Sequence, residues 1–250
     1  MSNLHTVKRF RLRRVRFVLV VAVSTFAVYL LSSRSQTPAQ TNSNNEISET
    51  SEVLSDITES TPLARDVLRT ISVKGRAPKT GYSRDQFGDG WAQVDGCDMR
   101  NIMLGRYLNN KETDNDGCVV FSGTLEDVYT GKTILFKRGA DTSDDVQIDH
   151  VVALSDAWQK GAQQLTPEQR ELFANDPLNL IPVDGEANQK KGDSDAASWL
   201  PPNKNFRCQY VARQIAVKAK YGLWVTEAEQ AAMERTLNGC PSQVVPIEKK

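Results

Sequence analysis

Histidine is almost missing from this chain, with His5 and His150 the two in 250 residues. His5 precedes a hydrophobic segment and is expected to stand outside the fold, so any imidazole chemistry rests on His150. The cysteines contain no C-x-x-C pair, which argues against a structural zinc site. Acid is absent from the first sixteen residues, which carry Lys8, Arg9, Arg11, Arg13, Arg14 and Arg16. No apolar run reaches the roughly 20 residues of a membrane-spanning helix. The uncharged run Phe17–Leu31 is fifteen residues long, at the upper edge of the roughly 7–15 of a signal-peptide core. A clean small-x-small cleavage site is missing too, since Thr37-Pro38-Ala39 and Ser33-Arg34-Ser35 are both poor. Residues 1–31 are therefore expected to be a signal peptide or an uncleaved signal anchor. Either leaves the basic end in the cytoplasm and the rest outside, secreted or anchored to the outer face of the cytoplasmic membrane.

Lysine and arginine are absent between Ser35 and Ala64. With Ser, Thr, Asn and Glu in their place, residues 32–60 hold too little apolar surface to repay ordering and are expected to be a disordered linker. Residues 61–250 remain, a comfortable length for one domain. Setting aside the six basic residues ahead of the apolar run leaves 25 basic against 31 acidic, a net −6. That balance does not describe an avid nucleic-acid binder. A locally basic stretch does run from Glu186 to Lys220, with Lys190, Lys191, Lys204, Arg207, Arg213, Lys218 and Lys220. Four cysteines, Cys97, Cys118, Cys208 and Cys240, allow three connectivities. Export favours disulfides, and the local pairs Cys97–Cys118 and Cys208–Cys240 are expected because each brackets one structural unit.

The pattern predicts a helix from a Thr61-Pro62 start to Ile71 and another over Asp98–Leu108. Short strands are expected at Val119–Phe121 and Thr133–Phe136, around turns at Gly123 and Gly131. Val146–His150 alternates as a strand does. Thr166-Pro167-Glu168-Gln169 is a capping box for a helix to Phe173, and Leu178–Val183 is a further strand. Arg207–Tyr221 and a helix from Thr226 to Asn238-Gly239 close an α+β domain. Trp158 and Trp199 are read as core anchors.

Phosphodiester hydrolysis needs an activated water, relief of phosphate charge and help for the departing oxygen. His150, with an ordinary pKa near 6.5, suits the first need as general base. Asp149 beside it and Asn188 downstream offer oxygen ligands for one divalent cation. Oxygen ligands suit Mg²⁺ first, with Mn²⁺ and Zn²⁺ as alternatives. Each residue alone has a plain structural explanation, and the ordered set carries the reading.

That set is Asp149-His150 on one strand, Asn179-Leu180-Ile181 on the next, and Asn188-Gln189-Lys190-Lys191-Gly192 at a short helix. It resembles the HNH, or ββα-metal, endonucleases. The branch it is most similar to is the C-terminal nuclease domain of GmrSD-type restriction enzymes, which also occurs as exported bacterial proteins. The resemblance runs from about Tyr82 to Cys240 and includes Asp127-Val128-Tyr129-Thr130-Gly131, Phe173-Ala174-Asn175-Asp176-Pro177-Leu178-Asn179-Leu180 and Trp199-Leu200-Pro201-Pro202-Asn203-Lys204. It implies a ββα-metal (His-Me finger) core with additional helices around it, stabilised by disulfides. It gives Asn179 the task of bracing the catalytic histidine, and Asp149 and Asn188 the metal. Asp and Asn stand where the HNH letters have His, so the resemblance leaves the metal unnamed. Lys190 or Lys191 would touch a phosphate oxygen. The expected substrate is DNA, with RNA second, cut with low sequence specificity. A non-catalytic cell-surface nucleic-acid-binding module and a hydrolase of another phosphodiester are the rival readings. An immunity protein would fit a toxin role, though no residue argues for one.

Overall fold

A computed structural model describes residues 61–247; the expected leader, the linker over 32–60 and His5 lie outside the described residues. Helix α1 (Ala64–Thr70) turns Ala64 and Leu68 inward. It starts at Leu63 rather than at a Thr61 cap. The reason is backbone pairing with the C-terminal segment: Ala64 N donates to Gln243 O and Val245 N to Pro62 O. The first of these bonds satisfies one of the N–H groups that the helix start leaves without an intrahelical partner. A 3₁₀ turn, Arg84–Phe87, follows and buries Phe87. Strands β1 (Gln93–Val94) and β2 (Cys97–Asp98) form a small antiparallel pair, after which Asp98 caps α2 (Met99–Tyr107) by accepting from Asn101 N.

Strands β3 (Asn109–Thr113), β4 (Val120–Glu126) and β5 (Thr133–Lys137) make an antiparallel sheet with β4 in the middle. Gly123, expected in a turn, sits within β4, where a Cβ would lie 2.8 Å from the Leu108 side chain. The missing side chain admits the end of α2 onto the strand. Strand β6 (Val146–His150) has the expected bounds. After it come α3 (Leu154–Gln159) and α4 (Pro167–Ala174), the latter opening on the reciprocal Thr166–Gln169 capping box. Strand β7 (Leu180–Asp184) then pairs antiparallel with β6, placing Ile181 opposite Asp149 and Leu180 opposite His150. Helix α5 (Gly185–Lys191) leaves β7 directly, capped by Asp184. Strand, strand and helix thus form a ββα unit with α3 and α4 inserted between the strands.

Helices α6 (Arg207–Lys220) and α7 (Glu227–Asn238) complete the chain. Alternation splits the β6–β7 pair between two cores. Ile181 and Val183 pack with Val211 and Ile215 of α6 and Leu68 of α1. Val146, Ile148 and Leu180 pack with Met103, Leu125 and Phe136. Coverage on both faces fixes the register, because a slip of one residue would exchange the two sets. A third cluster gathers Phe87, Trp158, Phe173 and Val217. Trp158 is buried there, while Trp199 packs against Tyr129 and Tyr210, so both tryptophans serve the core as expected. Both local disulfides are present, Cys97–Cys118 and Cys208–Cys240.

Candidate active site

His150 ends β6, and the chain leaves it as a loop held by Asn179, which precedes β7 and is fully buried. The Asn179 carbonyl accepts from Val151 N and its Oδ1 from Val152 N, both at 2.8 Å. Its Nδ2 donates to the Val152 and Phe173 carbonyls at 3.3 and 3.4 Å. The Arg213 guanidinium holds the same turn from α6, donating to Pro177 O and Leu178 O at 2.7 Å and to Leu180 O at 3.0 Å. His150 Nε2 lies 2.8 Å from Ala174 O. A carbonyl only accepts, so Nε2 carries the hydrogen and Nδ1 keeps the lone pair. The imidazole is stacked on Trp91, with ring centroids 5.9 Å apart and planes 8° from parallel. Burial lowers its pKa from 6.5 to about 4, so the ring is neutral well below the range its ordinary value suggests.

Asp149 points to the other side of the strand. Its Oδ2 accepts from the Tyr129 hydroxyl at 2.5 Å and its Oδ1 from the Lys191 ammonium at 2.8 Å. Lys191 also donates to the His150 carbonyl at 2.9 Å. Burial raises the Asp149 pKa against the opposing pull of Lys191 and Tyr129. The same burial pushes the Tyr129 hydroxyl well above its ordinary value, so it remains a donor. Asn188, midway along α5, donates Nδ2 to Gln147 Oε1 at 2.9 Å. Asp149, Asn188, Gln147 and His150 line one cleft of about 550 Å³.

That cleft tests the fit of a cation. Each Asp149 oxygen accepts one hydrogen bond and keeps a second lone pair. No donor reaches Asn188 Oδ1 among the described residues. No group of three or more His, Cys, Asp or Glu is placed to hold a metal among the described residues. The donor set is therefore two hard oxygens, which fits a divalent cation whose other positions are water and phosphate, and fits Mg²⁺ better than Zn²⁺. Lys191 reduces the negative charge there and so weakens the attraction.

The sequence-picked lysines do not enter the cleft lining. Lys190 is exposed and paired with Glu186 at 2.7 Å, and Lys191 is buried against Asp149. The rest of the basic stretch is turned elsewhere: Arg213 binds backbone carbonyls, Lys218 is buried among carboxylates, and Lys220 pairs with Asp176 at 2.9 Å. The cations on the cleft wall are Lys79, Arg84 and Arg100 instead. Trp91, Arg84 and Arg100 carry no motif that marks them in advance. Tyr129 does stand within Asp127-Val128-Tyr129-Thr130-Gly131, where Asp127 folds the turn by accepting from Thr130 N at 2.7 Å.

Residues 100–236 match the family described as GmrSD restriction endonucleases, C-terminal domain. The chain belongs to that family. The match holds His150, Asp149, Asn179, Asn188, Tyr129 and Lys191, and begins downstream of the expected Tyr82, leaving Trp91 and Arg84 outside it. A protein of Arthroderma benhamiae named "Uncharacterized secreted protein" is 40% identical over 180 residues, covering 71% of this chain and 84% of its own length. Neither similarity ties this GmrSD C-terminal family member to bacteria.

Proposed function

We propose that the protein is a metal-dependent endonuclease that hydrolyses phosphodiester bonds of DNA, with RNA as second substrate and little sequence preference. The observation that carries the reading is His150, its Nε2 anchored to Ala174 O, in one cleft with Asp149 and Asn188. With Nε2 as donor, Nδ1 is the atom that takes a proton from an attacking water. Asn179 holds the loop beyond His150 through its bonds to Val152, so the ring keeps its orientation. Trp91 restricts ring rotation from the stacked face. Asp149 and Asn188 would hold one divalent cation, Mg²⁺ first, which when bound supplies Lewis-acid stabilisation of phosphate and leaving-group charge. Membership of an endonuclease family, two disulfides and the name of the relative support a nuclease working outside the cell.

The test is nicking of supercoiled plasmid by the oxidised protein in Mg²⁺, Mn²⁺ or Zn²⁺, with EDTA as control. His150→Ala is expected to lower the rate by about 10²–10⁴-fold, the usual contribution of a general base, with circular dichroism showing that the variant stays folded. Undiminished nicking by the variant would remove His150 from the chemistry. Activity confined to a small chromogenic diester would favour the hydrolase of another phosphodiester.

A further inference from the structure

The cations near His150 differ in what they already hold. Lys79 pairs with Asp193 at 3.2 Å, Lys190 with Glu186, and Lys191 with Asp149. Arg84 and Arg100 have no carboxylate within 4.0 Å among the described residues. Arg100 is half-buried, donates to Ser143 O at 3.4 Å and lies over the Phe136 ring at 5.9 Å. Burial and neighbouring Arg138 lower its pKa from the ordinary value, against the opposing pull of Asp98 and Asp144. A half-buried guanidinium beside a second guanidinium costs the fold free energy, and an anion in the cleft offsets that cost.

Arg84 has a rigid mount. Its 3₁₀ turn is anchored by Phe87 in the core, and Arg170 donates to Gln86 O at 2.7 Å. A second hollow of about 310 Å³ adjoins the cleft and shares Arg84, Trp91, His150 and Leu154 with it. The hollow space therefore continues past the imidazole into a part that Asp85 and Asp89 also line, and its extent suits a chain rather than a single small diester.

We propose that Arg84 and Arg100, from two separate segments of the cleft wall, form a phosphate-binding pair that grips the backbone of a polynucleotide at His150. The pair rests on the nuclease reading for the identity of its anion. Arg100 opens the stretch shared with the family, whereas Arg84 lies outside the family match. The grip is thus assembled from one residue within the shared region and one on the wall that precedes it. Forked guanidiniums suit phosphate oxygens geometrically as well as by charge.

The test uses the full chain with oxidised disulfides and His150→Ala as parent, in EDTA, so that nothing is cut. Affinity for a short fluorescein-labelled single-stranded oligonucleotide is measured across a salt titration. Arg84→Gln and Arg100→Gln are each expected to weaken binding about tenfold, the value of one charge-assisted hydrogen bond. Each is expected to flatten the slope of log Kd against log salt by about 0.7, and Lys190→Gln to do neither. Circular dichroism checks folding, and Arg100→Lys, with slope retained and affinity reduced, replaces Arg100→Gln if that variant unfolds. Unchanged affinity and slope in the arginine variants, or an equal loss in Lys190→Gln, overturns the pair. Calorimetry with inorganic tripolyphosphate separates the two readings. A parent that binds tripolyphosphate through both arginines but not the oligonucleotide keeps the pair and sinks the nuclease. A parent that binds neither sinks the pair.

Discussion

The Lys191 ammonium lies 2.8 Å from Asp149 Oδ1 and 2.9 Å from the His150 carbonyl, with both side chains buried. It compensates a carboxylate that burial would otherwise drive toward its neutral form. Lys191→Met leaves that carboxylate with Tyr129 alone and is expected to destabilise the protein by about 3–5 kcal/mol. Urea denaturation reads this as a lower midpoint with an unchanged slope. An unchanged midpoint would mean that the pair is wet in solution. His150 illustrates how far environment moves a residue: the same imidazole that would titrate near 6.5 in water titrates at about 4 here. Its two histidines made His150 easy to find. Trp91, which stacks on it, lies 59 positions earlier without a motif.

Among the elements, α5 depends on a single missing side chain. A Cβ on Gly185 would stand 2.0 Å from the Asp144 carbonyl oxygen, a backbone atom that has no free rotation by which to escape. Gly185→Ala is expected to cost about 3 kcal/mol by overpacking. Because α5 carries Asn188, the proposed cation ligand, the proposed site predicts a higher Mg²⁺ requirement for nicking as well. Denaturation and a Mg²⁺ titration check the two effects, and wild-type values in both would show that the Asp144 loop gives way freely. Elements with strong local signals were legible in the chain: the capping box of α4, the alternation of β6, the amphipathic run of α6. Strand β3 was not, because Asn-Asn-Lys-Glu-Thr is an exposed edge with little β-propensity, paired through irregular register with β4. The Thr61 cap failed for a related reason, since pairing with residues near Gln243 outcompeted a local bond.

At the scale of the whole molecule, three cations and three carboxylates close a buried cluster. Lys160 touches Asp156, Asp195 and Glu229, each at 2.7 Å. Lys218 bridges Asp156 and Glu229 at 3.3 and 3.0 Å, and Arg76 bridges Asp156 and Asp195 at 3.1 and 2.8 Å. The cluster ties α3, α6 and α7 to the segment around Asp195. Burial works to raise the Asp195 pKa, and the bonds from Lys160, Ser198 and Arg76 overcome it, leaving the carboxylate far below its ordinary range. A group depressed in the folded state stabilises fully above its unfolded pKa, about 3.9 for Asp, and the contribution is lost as pH falls through the folded value. The melting temperature, as far as Asp195 governs it, should therefore hold down to about pH 4 and fall below it. Asp195→Asn should remove that part of the acid dependence. A profile with the same acid limb in both proteins would assign the limb elsewhere.

The ordered Asp149-His150, Asn179 and Asn188 set and the α+β composition were legible along the chain, whereas the disulfides, 21 and 32 residues apart, were closed by the fold out of three possible connectivities. The set and the composition depend on residue type, short-range periodicity or caps, which act over a few residues. Tertiary structure decided which cations face the cleft, where the histidine titrates and what neutralises Asp149. Those outcomes follow from burial and from contacts between residues as far apart as Tyr129, Asp149 and Lys191. No local pattern encodes them, because desolvation and charge pairing depend on what the folded chain brings alongside.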